Sequence, residues 1–216
     1  MAAGPAGVPG VCEGEEEPEP PGTPPGSVAE LPRVRRQRGR FLVWAPGAVR
    51  TLRERQRVWG ALVGTPPRRG RAAMAAGPRL PLQLRPEEAR ALRESGGATV
   101  EPVDEDEEET PAERGRPSPP AERRSRVFRE LWGRGLHLTP GGKFGGDFLV
   151  YPGPPCDFHA CAVLQCPCPF RPQPLGALLA GARLGSSVRK ALLLCSSAPP
   201  GGALACTALQ WRRDLT

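Results

Sequence analysis

Apolar positions recur along this chain with two different periods, and each period predicts an element. Phe41-Leu42-Val43-Trp44 is a short apolar run of strand type. Pro46 follows it, and Val49, Leu52 and Val58 recur behind that proline at helical spacing, which predicts a first helix. Leu80-Pro81-Leu82-Gln83-Leu84 alternates like a strand. Pro86-Glu87-Glu88-Ala89 opens a second helix with proline and acids in its first turn, and Gly96-Gly97 ends it. A third helix is predicted from near Glu122, where Val127, Phe128, Leu131 and Trp132 make a buried stripe under an arginine face until Gly133 and Gly135 stop it.

Beyond that helix the period shortens. After His137-Leu138-Thr139, the turn Pro140-Gly141-Gly142 leads into a strand from Gly145 that ends at Tyr151. Pro152 to Asp157 is a loop, and Phe158 to Gln165 predicts a second strand with His159 at its start. Cys166 to Pro174 reads as a proline loop and Leu175 to Ala182 as a short helix. Val188 to Cys195 is an apolar strand with Lys190 near its beginning, and Pro199-Pro200-Gly201-Gly202 turns the chain into a last strand, Ala203 to Trp211. The fold class expected is α/β in the broad sense (α+β): a small amino-terminal α+β domain, then a larger domain with a central sheet flanked by helices.

Composition sets the borders between these parts. Pro 29 and Gly 27 make about a quarter of the 216 residues and concentrate outside the patterned segments. Residues 1–36 are rich in proline and, at first, in acids, with too few apolar side chains to offset the entropy of ordering, so a disordered tail is expected. Its end, Pro32-Arg33-Val34-Arg35-Arg36-Gln37-Arg38, has the composition of a nuclear import signal or a backbone-binding arm. The domains expected are therefore 37–100 and 122–216, joined by an acidic flexible linker over 101–121. No apolar run reaches the length of a membrane span and the first twenty residues turn acidic, so a soluble, intracellular chain is expected.

Charge adds a partner class. The net charge is +7, and the distribution says more than the sum. Residues 31–100 hold sixteen arginines against four acids, residues 101–113 hold eight acids and no base, and residues 126–216 hold ten bases against four acids. Two basic blocks flanking an acidic stretch suit a polyanion. Seven cysteines, six of them between Cys156 and Cys206, occur without a secretory leader, which predicts reduced thiols acting as small buried apolar side chains. Cys166 and Cys168 form a C-x-C pair, but no C-x-x-C knuckle accompanies it, so no metal site is assigned.

Three scarce residues carry the candidate chemistry. Tyr151 is the only tyrosine, His159 is one of two histidines, and Lys190 is one of two lysines in a chain whose other 28 basic residues are arginine. A phenol, an imidazole and an ammonium can take a proton, give a proton and hold a negative charge, the full requirement of metal-free RNA phosphodiester cleavage. Spacing alone leaves open that the three are unrelated.

The segments GGKFGGDFLVYPG, FHA, ARLGSSVRKALLLC and LQW closely resemble the catalytic subunit of the eukaryotic tRNA-splicing endonuclease that cuts the 3′ splice site. The likeness runs from about residue 126 to the end, and extends to FLVWAPGAVRTLRER and LQLRPEEARALRESGGATV in the first domain. It implies a restriction-endonuclease-like catalytic domain with a mixed sheet, in which Tyr151 is the general base, His159 the general acid and Lys190 the cation facing the charged phosphorane-like state. It also implies that Arg183 and Trp211 hold a base of the splice-site bulge between them. The implied reaction is attack of the RNA's own 2′-hydroxyl on the adjacent phosphate, leaving a 2′,3′-cyclic phosphate and a 5′-hydroxyl, with no cofactor. The implied partners are an intron-containing pre-tRNA, a second catalytic subunit, two structural subunits and an RNA 5′-kinase, in the nucleus and without a membrane.

Two other readings compete. A non-catalytic RNA-binding or scaffolding subunit shares the charge argument but has no need of all three scarce residues. A metal-dependent nuclease needs clustered carboxylates, and between Val127 and the end there are only Glu130, Asp147, Asp157 and Asp214.

Overall fold

A computed structural model describes residues 31–64, 79–101, 118–197 and 202–212. The tail up to residue 30, the arginine-rich stretch 66–71, most of the acidic linker and the turn at 199–201 lie outside the described residues.

The amino-terminal lobe is a five-stranded mixed sheet with two helices. Its strands are β1 (Arg33–Gln37), β2 (Arg40–Val43), β3 (Ala61–Leu62), β4 (Leu82–Leu84) and β5 (Thr99–Glu101), in the order β3-β4-β2-β1-β5. β1 is the basic cluster that composition assigned to the end of the tail. It is a strand because Val34 alternates with arginines and is fully buried, while Arg33 and Arg35 face out. It pairs with β2 through a two-residue turn in which Arg38 (φ 48°) and Gly39 (φ 69°) both have positive φ, the twist-compatible hairpin geometry. Helices α1 (Pro46–Glu54) and α2 (Pro86–Glu94) each begin on the proline predicted to start them. Val34, Val43, Val49, Leu52, Leu82 and Leu92 close the lobe's core.

The second lobe begins with α3 (Pro119–Gly133) and continues through β6 (His137–Pro140), a 3-10 turn over Gly142–Phe144, β7 (Phe148–Tyr151), β8 (Ala162–Gln165), α4 (Leu175–Ser187), β9 (Ala191–Ser197) and β10 (Leu204–Leu209). The sheet order is β10-β9-β8-β7-β6, with β8 and β9 parallel and every other pair antiparallel. The parallel pair needs a crossover, and α4 supplies it. Alternation sorts the two faces: Phe148, Val150, Ala162, Leu164 and Cys195 join Val127, Phe128 and Leu131 of α3, while Leu149, Ala160 and Val163 form a smaller cluster with Phe144 and Tyr151. The observed fold is thus α+β, as expected, and both of its sheets are mixed.

Several predicted bounds move. The second strand starts at Ala162, four residues later than Phe158, because residues 154–158 form a turn in which the Asp157 and Phe158 amides donate to the Pro154 carbonyl. His159 therefore lies in a loop and not on a strand. Helix α4 continues five residues past Ala182, and β6 was not foreseen as a strand.

The cysteine expectation is corrected at one pair. Antiparallel register sets Cys195 opposite Cys206 with their Cα atoms 4.2 Å apart, and the two sulfurs are bonded. Cys156, Cys161 and Cys206 are exposed, and among the described free cysteines Cys166 is the buried one. Burial and the neighbouring Asp147 push its thiol pKa well above the usual range.

The lobes are fastened by polar contacts around Trp132, whose ring packs against both cores. Its indole N–H donates to the Gln56 carbonyl (2.7 Å) and its own carbonyl accepts from Arg57 (3.1 Å). Arg85 donates to the Asp147 carbonyl (3.1 Å), and Arg124 bridges at 2.9 Å to the buried Glu87 of α2.

Candidate active site

The order and direction of β7, β8 and β9 explain why residues far apart in sequence share one end of the sheet. β7 runs towards that end and finishes at Tyr151, while β8 and β9, both antiparallel to it, start there. Val150 is opposite Ala162, and Ala162 is opposite Ala191. The ladder continues one residue further: the Cys161 amide donates to the Val150 carbonyl (2.9 Å) and the Ala191 amide to the Cys161 carbonyl (3.0 Å). Tyr151, Cys161 and Lys190 consequently form a row across the sheet end, on the face of Leu149 and Val163. His159 stands two residues before Cys161 on the loop entering β8.

Each of the three has its own support. Tyr151 is half-buried against the small cluster, and its phenol oxygen lies 3.3 Å from the Thr139 hydroxyl. His159 is exposed beside Phe158, whose ring lies on Gly153 so closely that a Cβ at 153 would stand 2.4 Å from it. That glycine lets the loop fold flat under the residue preceding the imidazole.

Lys190 is placed by the end of α4. The Lys190 amide donates to the Gly185 carbonyl (2.8 Å) and the Arg189 amide to the Ser186 carbonyl (3.2 Å), with Arg189 left-handed at φ 55°. This is a Schellman cap with arginine where glycine is usual. It turns the chain from helix into β9 within three residues and presents Lys190, half-buried, with Nζ donating to the Val188 carbonyl (3.1 Å) and lying 5.4 Å from the centre of the Phe144 ring.

Arg183 and Trp211 also meet. The Arg183 guanidinium lies 4.4 Å over the Trp211 ring, and Ser186 Oγ donates to the Trp211 carbonyl (3.1 Å), tying the residue after β10 to α4.

Thr139 and Phe144 were not among the sequence candidates. The signal was present for Thr139: His137 and Thr139 alternate just before a Pro-Gly-Gly turn and a strand, the pattern of a hairpin arm beside Tyr151. Among the described residues no three His, Cys, Asp or Glu side chains converge as a metal-ligand group.

The comparisons with known proteins fall on both lobes. Residues 32–103 match the family model described as TSEN34-like, N-terminal domain, and residues 121–201 match that of the tRNA intron endonuclease, catalytic C-terminal domain. The second lobe is thus similar to the catalytic domain of tRNA intron endonucleases, and the first to the amino-terminal domain of TSEN34-like proteins. The chain is 54% identical over 93 residues to the human tRNA-splicing endonuclease subunit Sen34, which is 43% of this chain and 30% of the relative. The mouse Sen34 subunit is 53% identical over 93 residues, 43% of this chain and 29% of that relative. The subunit SEN34 of Saccharomyces cerevisiae is 38% identical over 66 residues, 30% of this chain and 24% of the relative. The chain thus spans about a third or less of the curated relatives' length.

The family's catalytic-domain model covers all three of Tyr151, His159 and Lys190. Trp211 lies past its end. No helix among the described residues is long and apolar enough to cross a membrane.

Proposed function

We propose that this chain is a catalytic subunit of a tRNA-splicing endonuclease and cuts pre-tRNA at the 3′ splice site. The observation that carries the reading is the sheet-end row: Tyr151 and Lys190 share one face, and His159 sits on the loop entering the strand between them. The names of the human and mouse relatives support the splicing activity.

In this reading Tyr151, as its phenolate, takes the proton of the 2′-hydroxyl, and the resulting oxygen attacks the adjacent phosphorus. A new P–O bond forms to the 2′-oxygen, the P–O bond to the 5′-oxygen of the next nucleotide breaks, and His159 gives that oxygen its proton. The products are a 2′,3′-cyclic phosphate and a 5′-hydroxyl. Lys190, whose ammonium is half-buried near the Phe144 ring, opposes the charge that gathers on the phosphate oxygens. Each proton transfer is worth about 10²- to 10⁴-fold in rate. A second catalytic subunit and two structural subunits would complete the enzyme, an RNA 5′-kinase would associate with it, and the site of action would be the nucleus.

Cleavage of an intron-containing pre-tRNA by the chain co-purified with its partners, in EDTA, tests the reading. The expected result is a cyclic-phosphate end at the 3′ junction, lost at that junction alone in His159→Ala. Unchanged cleavage in the variant would place the cut on another subunit and leave this chain an RNA-binding scaffold.

A further inference from the structure

The Thr139 hydroxyl lies 3.3 Å from the phenol oxygen of Tyr151, and once that phenol is ionised the hydroxyl can only donate to it. Strand register makes the contact a property of the fold: on β6, Thr139 lies opposite Leu149, so Tyr151 is its diagonal neighbour on the same face. Directly opposite Tyr151 is His137, but that ring is buried and its Nδ1 accepts from the Trp59 indole at 2.8 Å. The phenol therefore finds its partner in the threonine.

A hydroxyl that donates to a phenol oxygen stabilises the phenolate more than the phenol, because the acceptor gains charge on ionisation. We infer that Thr139 is a positioning residue for the cleavage reaction, holding the Tyr151 oxygen in place and stabilising its ionised form, the form that takes up the proton. This rests on the reading of Tyr151 as the base.

The test uses the fact that Tyr151 is the only tyrosine in the chain, so a ring carbon label in this chain reports that residue alone. The full chain, labelled at tyrosine Cζ with ¹³C, is titrated by NMR as wild type, Thr139→Val and Thr139→Ser. In parallel the same variants, reconstituted with their partners, are assayed for pre-tRNA cleavage across pH. Valine keeps the β-branched shape and removes the donor, whereas serine keeps the donor.

The expected result is that Thr139→Val moves the phenol's ionisation to higher pH by about half to one unit, as loss of one modest hydrogen bond implies. The ascending limb of the pH–rate profile should move with it, lowering cleavage about three- to tenfold at neutral pH, while Thr139→Ser stays near wild type. An unmoved titration overturns the proposal. So does a moved titration beside an unmoved rate profile when Tyr151→Phe is inactive, and in that case the base assignment survives. A fully active Tyr151→Phe overturns the base assignment itself, and the role of Thr139 with it.

Discussion

The Trp59 indole donates a hydrogen bond to Nδ1 of His137 at 2.8 Å, so one lobe grips the strand β6 that borders Tyr151 in the other. The two rings are also in contact, with centroids 5.8 Å apart. Trp59→Phe keeps most of the apolar surface and removes the donor, leaving a buried ring nitrogen without its partner. The expected cost is about 1–2 kcal/mol of stability, measured by denaturant unfolding. Equal stability would mean that the contact is replaced by water.

The same bond fixes a pH dependence. Nδ1 accepts the hydrogen bond from the Trp59 indole, so it carries no hydrogen of its own, and burial followed by the nearby Arg57 charge lowers the His137 pKa from its ordinary 6.5. The native state therefore resists protonation, whereas the unfolded state takes up a proton near pH 6.5. Stability from this group is complete above that value and is lost as the pH falls through it towards the lower native pKa. Melting temperature should drop between about pH 7 and pH 5, and His137→Gln should reduce that drop. A slope unchanged in the variant would assign the acid sensitivity to other groups.

Much of this arrangement is legible in the sequence, and the exceptions have physical causes. Pro46 and Pro86 marked helix starts because proline is compatible with the first turn of a helix and with little else inside one. Tyr151 and Lys190 stand out through scarcity, but their placement on one face of the sheet end depends on β8 and β9 being parallel and joined by α4, a non-local pairing that no periodicity reports. β1 was hidden because its five residues include three arginines; Val34 alone shows the buried face. His159 was assigned to a strand because apolar alternation runs on through Phe158, whereas the Pro154 turn decides where pairing begins. The Cys195–Cys206 pair likewise follows from a strand register that cysteine spacing does not encode.

The Arg183–Trp211 contact predicts a split between RNA binding and chemistry. Stacking of one base on an aromatic ring is worth about 1–3 kcal/mol, so Trp211→Ala should weaken pre-tRNA binding by that amount. Arg183→Lys keeps the charge but loses the planar face and should weaken binding in the same sense. Equilibrium binding to a catalytically inactive complex would measure both. Binding unchanged in both variants would reduce the pair to a link between α4 and the chain after β10.

Gly185 tests how closely Lys190 depends on the end of α4. This glycine is buried, its carbonyl accepts the Lys190 amide at 2.8 Å, and a Cβ placed on it would stand 2.7 Å from the Lys190 carbonyl oxygen and 3.5 Å from the Leu192 amide. The clash is with backbone, so no side-chain rotation relieves it. Gly185→Ala should cost about 1–3 kcal/mol of stability as the turn into β9 is pushed away from the helix. Because that turn carries the ammonium, the variant should also lose cleavage by roughly 10²-fold at temperatures where it remains folded, the scale set by displacing an active-site group by about 1 Å. Alanine at Gly176 is the control: a Cβ there meets nothing within 4 Å, so Gly176→Ala should leave both folding and cleavage close to wild type. If Gly185→Ala lost stability but kept full cleavage, the Schellman turn would serve the fold alone, and the position of Lys190 would be held by the Val188 carbonyl and the Phe144 ring instead.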